Sequence, residues 1–100
     1  MINVDILAFG SHPDDVELGS GGTIAKSINQ GKSAIIIDLT QGELGTRGNI
    51  DIRRKEASNA ASVLGALTRE NLKFKDGFFM NDENHQLLVI KKIREYRPEI

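Results

Sequence analysis

The stretch SAIIIDL, residues 33–39, is a short and nearly continuous run of apolar side chains, most of them β-branched. A half-exposed strand alternates apolar and polar residues, whereas a strand covered on both faces reads as a continuous apolar run. We therefore expect residues 33–39 to form a parallel strand that is buried on both faces of a sheet. The rest of the chain has to supply the layers that cover it.

The segments on either side of this stretch alternate between strand and helix patterns. Toward the N-terminus, residues 15–30 are typical of a helix and residues 4–9 of a short buried strand. Toward the C-terminus, the sequence predicts a helix over 51–64, a weaker strand over 70–74 and a helix over 86–96. This β-α-β-α-β-α order predicts an α/β fold with a Rossmann-like parallel sheet.

Each of the first two helices has an apolar side that should face the sheet. We expect the first to pack through Leu18, Ala25 and Ile28, and the second through Ala57, Ala60 and Leu64. Ligands of open parallel sheets bind beyond the carboxyl ends of the strands. Those ends carry the stretches SHPDD, TQGELGTRGN and DGFFMNDENH, so we expect the site at that edge.

Composition narrows the class of protein. The chain has 100 residues, 39% hydrophobic and 27% charged, which fits one domain with an ordinary core. A net charge of -1 gives no basic surface for nucleic acid or a membrane. The lack of cysteine excludes disulfides and thiolate ligands and fits a cytoplasmic chain. The closing Pro-Glu-Ile resembles the approach to a further strand, so we expect residues 1–100 to be the N-terminal part of a longer domain.

The densest group of chemically active side chains is SHPDDVE, residues 11–17. One interpretation is structural: Asp14 caps the first helix, Glu17 completes a capping box, and acids in a first turn suit the helix dipole. It leaves His12 and Pro13 unexplained. The other interpretation is a metal site, because an imidazole and a carboxylate three residues apart can bind Zn²⁺, or less selectively Fe²⁺ or Mn²⁺.

In the metal interpretation, His12 and Asp15 are ligands and Asp14 is a base. A metal lowers the pKa of bound water to roughly 7, so a carboxylate can take its proton near neutral pH. This predicts hydrolysis. A catalytic zinc usually has three protein ligands. His85 could be the third, but between Asn84 and Gln86 it is more readily explained as a solvent-facing residue at a helix start.

Three further charged residues are candidates for the site wall. Arg53 lies four residues before Ala57, in phase with the apolar stripe, and an inward arginine usually meets an anion. The alternative is an ion pair with Glu56 or Glu43, or a snorkelling side chain. Arg47 lies between glycines in GELGTRG and is interpreted, with Glu43, as a cavity wall, against a plain surface loop.

The stretch AFGSHPDDVELGSGGT resembles the AHPDDE-x-x-G-x-GG-T signature of the LmbE-like, or PIG-L-type, N-acetylglucosaminide deacetylases. The later TQGELGTRG, the pattern R-x-x-E-A-x-x-A-A-x-x-LG (Arg53 to Gly65) and ENLKFKDGFF are most similar to the N-acetylglucosaminyl-malate deacetylases of bacillithiol biosynthesis. The resemblance implies a Rossmann-like fold, which agrees with the element order.

The resemblance also implies roles for individual residues. It makes His12 and Asp15 zinc ligands, Asp14 the general base and Arg53 a substrate-binding residue, and it leaves Glu17 as a helix-start residue. The family's third ligand is a histidine of a later His-Pro-Asp-His-type motif, which nothing in these 100 residues matches. The implied activity is zinc-dependent removal of an acetyl group from a small amino sugar by a protein that often forms oligomers.

Two other interpretations stay open. Within the family, the substrate could be another acetylated amino sugar, such as a chitin oligomer or an antibiotic intermediate. Outside it, the chain could be a non-enzymatic Rossmann-like module that binds a nucleotide or sugar phosphate at its glycine loops. The second predicts no metal, and it predicts that Asp14→Asn leaves ligand binding intact.

Overall fold

The strand expected from SAIIIDL is the central strand of the sheet. The structure, a computed structural model, describes residues 3–45 and 48–100. The elements are β1 (Ile6–Gly10), α1 (Asp15–Asn29), β2 (Ala34–Thr40), α2 (Ile50–Leu64), β3 (Thr68–Phe74) and α3 (Glu83–Tyr96). The predicted order is confirmed, and the bounds differ from the expected ones by a few residues at element ends.

β2 lies between β1 and β3, and both pairings are parallel. Its first four residues, Ala34 to Ile37, have no exposed surface, as expected for a strand covered on both faces. Ile35 and Ile37 pack on one side with Val4, Leu7 and Tyr96 of α3. Ala34 and Ile36 pack on the other side with Val16 and Ile24 of α1. The fold is therefore three layers, with α1 and α2 opposite α3.

The inward side of α1 differs from the expected one. Its buried residues are Val16, Gly21 and Ile24, whereas Leu18 is 81% exposed. On α2, Ala57 and Ala61 are buried. The expectation for Leu18 was wrong because an apolar stripe can be drawn through several positions of a helix. The rotation of the helix about its axis selects among them, and here α1 packs on the sheet through Val16 and Ile24.

The end of the chain runs beside β1. The Ile100 amide donates to the Asp5 carbonyl, and its carbonyl accepts from the Leu7 amide, at 3.0 and 2.9 Å. This is the bonding of a parallel pair, on the edge of β1 that faces away from β2. The expectation that a further strand starts here stays a prediction, as do the domain limits.

A polar cluster joins α3 to β3 on the same side as Tyr96. The Tyr96 hydroxyl donates to Glu70, and Lys92 Nζ lies 2.7 Å from Glu70 Oε1. Burial alone would raise the pKa of Glu70, but the bonds from Lys92 and Tyr96 lower it overall. Burial and the bond to Glu70 raise the pKa of Tyr96 to about 12.

We expect Glu70→Gln to cost about 1 kcal/mol of stability at pH 7, because hydrogen bonds to a charged acceptor are lost in a partly exposed site. A carboxyl whose folded pKa is lowered stabilises the fold above its unfolded value of 4.5 and loses that contribution as the pH falls through the folded pKa. Urea unfolding from pH 3 to 7 should therefore show the wild-type and variant curves converging in acid. A gap that persists unchanged to pH 3 would contradict this assignment.

Candidate active site

The loop between β1 and α1 makes a tight turn that carries the acidic group. The amides of Asp14 and Asp15 both donate to the His12 carbonyl, at 2.8 and 3.1 Å. At the start of the loop, the Ser11 carbonyl accepts from the amide and the hydroxyl of Thr40, at 3.0 and 2.8 Å. The end of β2 therefore holds the loop, and the loop places His12 at the carboxyl edge of the sheet.

His12 is held by carboxylates on both of its ring nitrogens. Nδ1 lies 3.1 Å from Asp15 Oδ2, and the same oxygen accepts from the His12 amide at 2.9 Å. Nε2 lies 3.0 Å from Asp76 Oδ1. Burial alone would lower the pKa of His12, but the hydrogen bonds and charges of Asp15 and Asp76 raise it overall.

Asp76 is a site residue that the sequence pattern did not single out. Its side chain is only 7% exposed, and its second oxygen accepts from the Leu44 amide at 3.0 Å. Its own amide donates to Glu43 Oε2 at 2.9 Å. Asp76 therefore ties the loop after β3 to the loop after β2. The only sequence signal is its place in DGFF, directly beyond a predicted strand.

Asp14 does not cap α1. It occupies the N-cap position, but its side chain makes no capping hydrogen bond. In the other two helices, Asn49 and Asp82 do cap, accepting from the amides of Ile52 and His85. The capping hydrogen bond that the structural interpretation of Asp14 requires is therefore not formed. Instead, the exposed Asp14 carboxylate lines a cavity of about 360 Å³ together with His12, Asp76 and Arg53.

Arg53 reaches this cavity from the first turns of α2. Its Nη1 donates to the Gly42 carbonyl at 2.9 Å, which fixes the guanidinium beside the loop after β2. A Cβ built on Gly45 would overlap this guanidinium, so the glycine leaves the room that Arg53 occupies. A second cavity of about 830 Å³ is also lined by Arg53 and Asp14. Arg47 lies outside the described residues.

The types of donor group beside the loop, imidazole and carboxylate, are ones that zinc binds. His12 offers an imidazole nitrogen next to the Asp15 carboxylate, and a histidine ligand commonly gives its other nitrogen to a carboxylate, here Asp76. Within residues 3–45 and 48–100, no group of three or more histidine, cysteine or acidic side chains could hold a metal ion. His85 is packed elsewhere, edge-on to Phe74 at 4.5 Å and bonded to Asp82.

A buried ion-pair network lies behind the loop, on the side of the sheet that α1 and α2 cover. Arg69 of β3 donates to both oxygens of Asp38, at 2.6 and 2.9 Å, and to Glu17 at 2.9 Å. Glu17 is in the first turn of α1, as expected, but its carboxylate points to this arginine. Asp38, an aspartate inside the strand expected to be buried at residues 33–39, was the available signal, whereas Arg69 lies just before the strand expected over 70–74.

The same arrangement of strands and loops occurs in known proteins. The family described as PIG-L, GlcNAc-PI de-N-acetylase, matches residues 7–100, nearly the whole chain. The chain belongs to the PIG-L family. The resemblance read from SHPDDVE and the later stretches is thus confirmed at the level of the family.

Three proteins that are similar to this PIG-L chain differ in their organism and in their description. Diacetylchitobiose deacetylase of Thermococcus kodakarensis is 30% identical over 95% of this chain and 38% of its own length. The structure of the conserved protein TT1542 of Thermus thermophilus is 41% identical, with a TM-score of 0.89 over 95% of this chain and 43% of that one. The structure of GalB, the 4-carboxy-2-hydroxymuconate hydratase of Pseudomonas putida, is 28% identical, with a TM-score of 0.84 over 100% and 45%.

The PIG-L chain spans less than half the length of the curated relatives that it matches first, 38% in each of two cases. The part of the chain that the structure describes has no helix both long enough and apolar enough to cross a membrane.

Proposed function

We propose that this chain belongs to a zinc-dependent hydrolase that removes the acetyl group from an N-acetylglucosaminide. The observation that carries the proposal is that Asp14, free of any capping bond, shares a cavity with His12 and Arg53 at the carboxyl edge of the sheet. Membership of the PIG-L family and the similarity to a diacetylchitobiose deacetylase support an amide of an acetylated amino sugar as the bond that is cleaved.

In this proposal His12 and Asp15 would hold the metal, which would supply Lewis acidity at the acetyl carbonyl and lower the pKa of water. Asp76 holds the His12 ring in one orientation through Nε2. Asp14 takes a proton from the attacking water. The water oxygen bonds to the acetyl carbon, the carbon–nitrogen bond breaks, and the nitrogen leaves with the proton that Asp14 took. The products are acetate and a free amine.

Arg53 would bind an anionic or hydroxyl-rich part of the substrate, because a guanidinium offers several donors in a fixed plane. The resemblance of TQGELGTRG and ENLKFKDGFF supports N-acetylglucosaminyl-malate, whose carboxylates would meet this cation.

An acetylated chitin oligomer is the alternative that the Thermococcus relative supports. GalB supports a second reaction class, addition of water to a carbon–carbon double bond. Cytoplasmic location and an oligomeric state stay predictions.

The test is a substrate panel on the intact, zinc-loaded protein. We expect free amine and acetate from N-acetylglucosaminyl-malate, at a higher kcat/KM than from N,N'-diacetylchitobiose or N-acetylglucosamine. A preference for diacetylchitobiose would support the proposed deacetylase activity with a different substrate. Hydration of an unsaturated dicarboxylate without any amine release would replace the deacetylase with a hydratase.

Removing the metal should abolish amine release. We expect a chelator to reduce turnover to background, and zinc, Fe²⁺ or Mn²⁺ to restore it to different degrees, because the water that attacks is acidic only beside a cation. Chelated protein that is dialysed and given no metal is compared with the samples to which metal is returned. Recovery of activity in those samples shows that the chelator did not damage the protein. Full activity after chelation and verified metal loss would show that the reaction does not require a metal.

Gly45→Ala should raise KM by roughly tenfold or more, because the new methyl group displaces Arg53, and a charge-assisted bond to substrate is lost. Stability should change little, since the displaced group is the end of a flexible side chain. Gly22→Ala is the matched control, because a Cβ there has no other atom within 4 Å. An unchanged KM in Gly45→Ala would argue that Arg53 does not touch the substrate.

A further inference from the structure

Arg69 connects the interior of the domain to the backbone of the candidate catalytic loop. Its Nη2 donates to the Pro13 carbonyl at 3.0 Å, and Pro13 lies between His12 and Asp14. We propose that Arg69 is a positioning residue that fixes this loop from behind, so that His12 and Asp14 keep their relative places. The consequence for turnover rests on the proposed function, whereas the consequence for the loop itself does not.

The guanidinium has acceptors from three elements near the loop, β2, α1 and α2. Besides Pro13, it donates to Asp38 at the end of β2, to Glu17 in the first turn of α1, and through Nη1 to the Ala57 carbonyl of α2 at 3.2 Å. Only arginine offers several donors in one rigid plane. The Arg69 side chain is 6% exposed, so these bonds form largely away from bulk solvent.

The charges of this network are costly to bury, which favours a positioning role. Burial raises the pKa of Asp38, and the bonds from Arg69 oppose that shift. Burial by itself would lower the pKa of Arg69, but its bonds to Asp38 and Glu17 raise it above the ordinary value. Apolar residues of similar volume are often as stable as a buried ion pair. Apolar packing would lack the donor that Arg69 provides to the Pro13 carbonyl.

Pro13 makes the loop sensitive to this one contact. Its ring fixes φ and it has no N–H, so the carbonyl is the backbone group through which the residue can be held. A shift of that peptide moves both neighbours, and a displacement of about 1 Å in a catalytic group can cost about 10²-fold in rate. The bond from Arg69 thus acts on His12 and Asp14 through the backbone.

The first experiment is Arg69→Lys in the intact protein, with Arg54→Lys as the matched control. A lysine keeps the charge beside Asp38 but lacks the fork that reaches Pro13. Arg54 lies 3.9 Å from Asp51 in an exposed pair. We expect Arg69→Lys to speed amide hydrogen exchange in a peptide spanning residues 11–15 by about tenfold or more, with exchange at residues 35–37 unchanged. We expect kcat to fall by about tenfold to 100-fold with KM within about twofold.

The second experiment separates positioning from stability. In Asp38→Leu with Arg69→Met, the two most buried charges of the network are removed together. Glu17 keeps contact with water, because its side chain is 23% exposed, so the fold should be recovered while the donor to Pro13 stays absent. We expect fast loop exchange and low kcat to persist in this folded double variant. Slow, wild-type exchange at residues 11–15 in either folded variant would overturn the proposal. If the wild type releases no amine from any substrate, the proposed function fails, and exchange at the loop still decides the role of Arg69.

Discussion

Asp14→Asn is expected to lower the rate of amine release by roughly two to four orders of magnitude. An asparagine has nearly the shape of an aspartate but cannot accept the proton of the attacking water. The side chain of Asp14 makes no capping bond, so the substitution removes no structural contact of the helix end. The fall should therefore appear in kcat with little change in KM or in the midpoint of thermal unfolding.

Asp51→Asn is the matched control for this experiment. Asp14 is the N-cap residue of α1, and Asp51 is in the first turn of α2 with a side chain that is 88% exposed, so Asp51 is also near a helix N-terminus but does not line the cavity. Zinc content is measured on each purified variant, so that a loss of metal is distinguished from the loss of the base. An Asp14→Asn protein that binds zinc and keeps near wild-type turnover would show that another group takes the proton.

Ile24→Ala is expected to have the largest effect on stability, a loss of roughly 2–5 kcal/mol. Ile24 of α1 is 2% exposed and packs with Val16, Ala34 and Ile36 on the face of β2 that α1 covers. Removing its outer carbons leaves a cavity between the helix and the sheet that neighbouring side chains fill only in part. Urea unfolding of the intact protein measures the loss.

Leu18→Ala is the control on the same helix and should change the free energy of unfolding by no more than about 0.5 kcal/mol. The apolar pattern of α1 predicts Leu18 on the inward side, whereas the structure leaves it 81% exposed. The two substitutions therefore decide how α1 is rotated about its axis. A larger loss for Leu18 than for Ile24 would mean that the helix packs as the pattern alone predicts.

The sequence by itself determined the order of elements and the edge of the sheet at which the candidate site lies. SAIIIDL predicts a strand covered on both faces, and β2 is that strand. The alternation of patterns predicts the parallel sheet, and in such a sheet the loops after the strands share one edge. His12, Asp14 and Asp15 could be predicted as candidates because polar and acidic side chains are concentrated in one short stretch, and their roles stay predictions. Arg53 could be predicted as a candidate because its phase in the second helix is a local property, and its role also stays a prediction.

Only the tertiary structure decided which distant side chains meet these residues. His12 contacts Asp76 across 64 positions of sequence, and Arg69 contacts Asp38 and Glu17 across 31 and 52. Periodicity reports which face of an element is apolar, but it carries no information on register between strands or on the rotation of a helix against the sheet. Those are set by packing of the whole core, and they bring Asp76 to His12 and the Arg69 guanidinium to the Pro13 carbonyl.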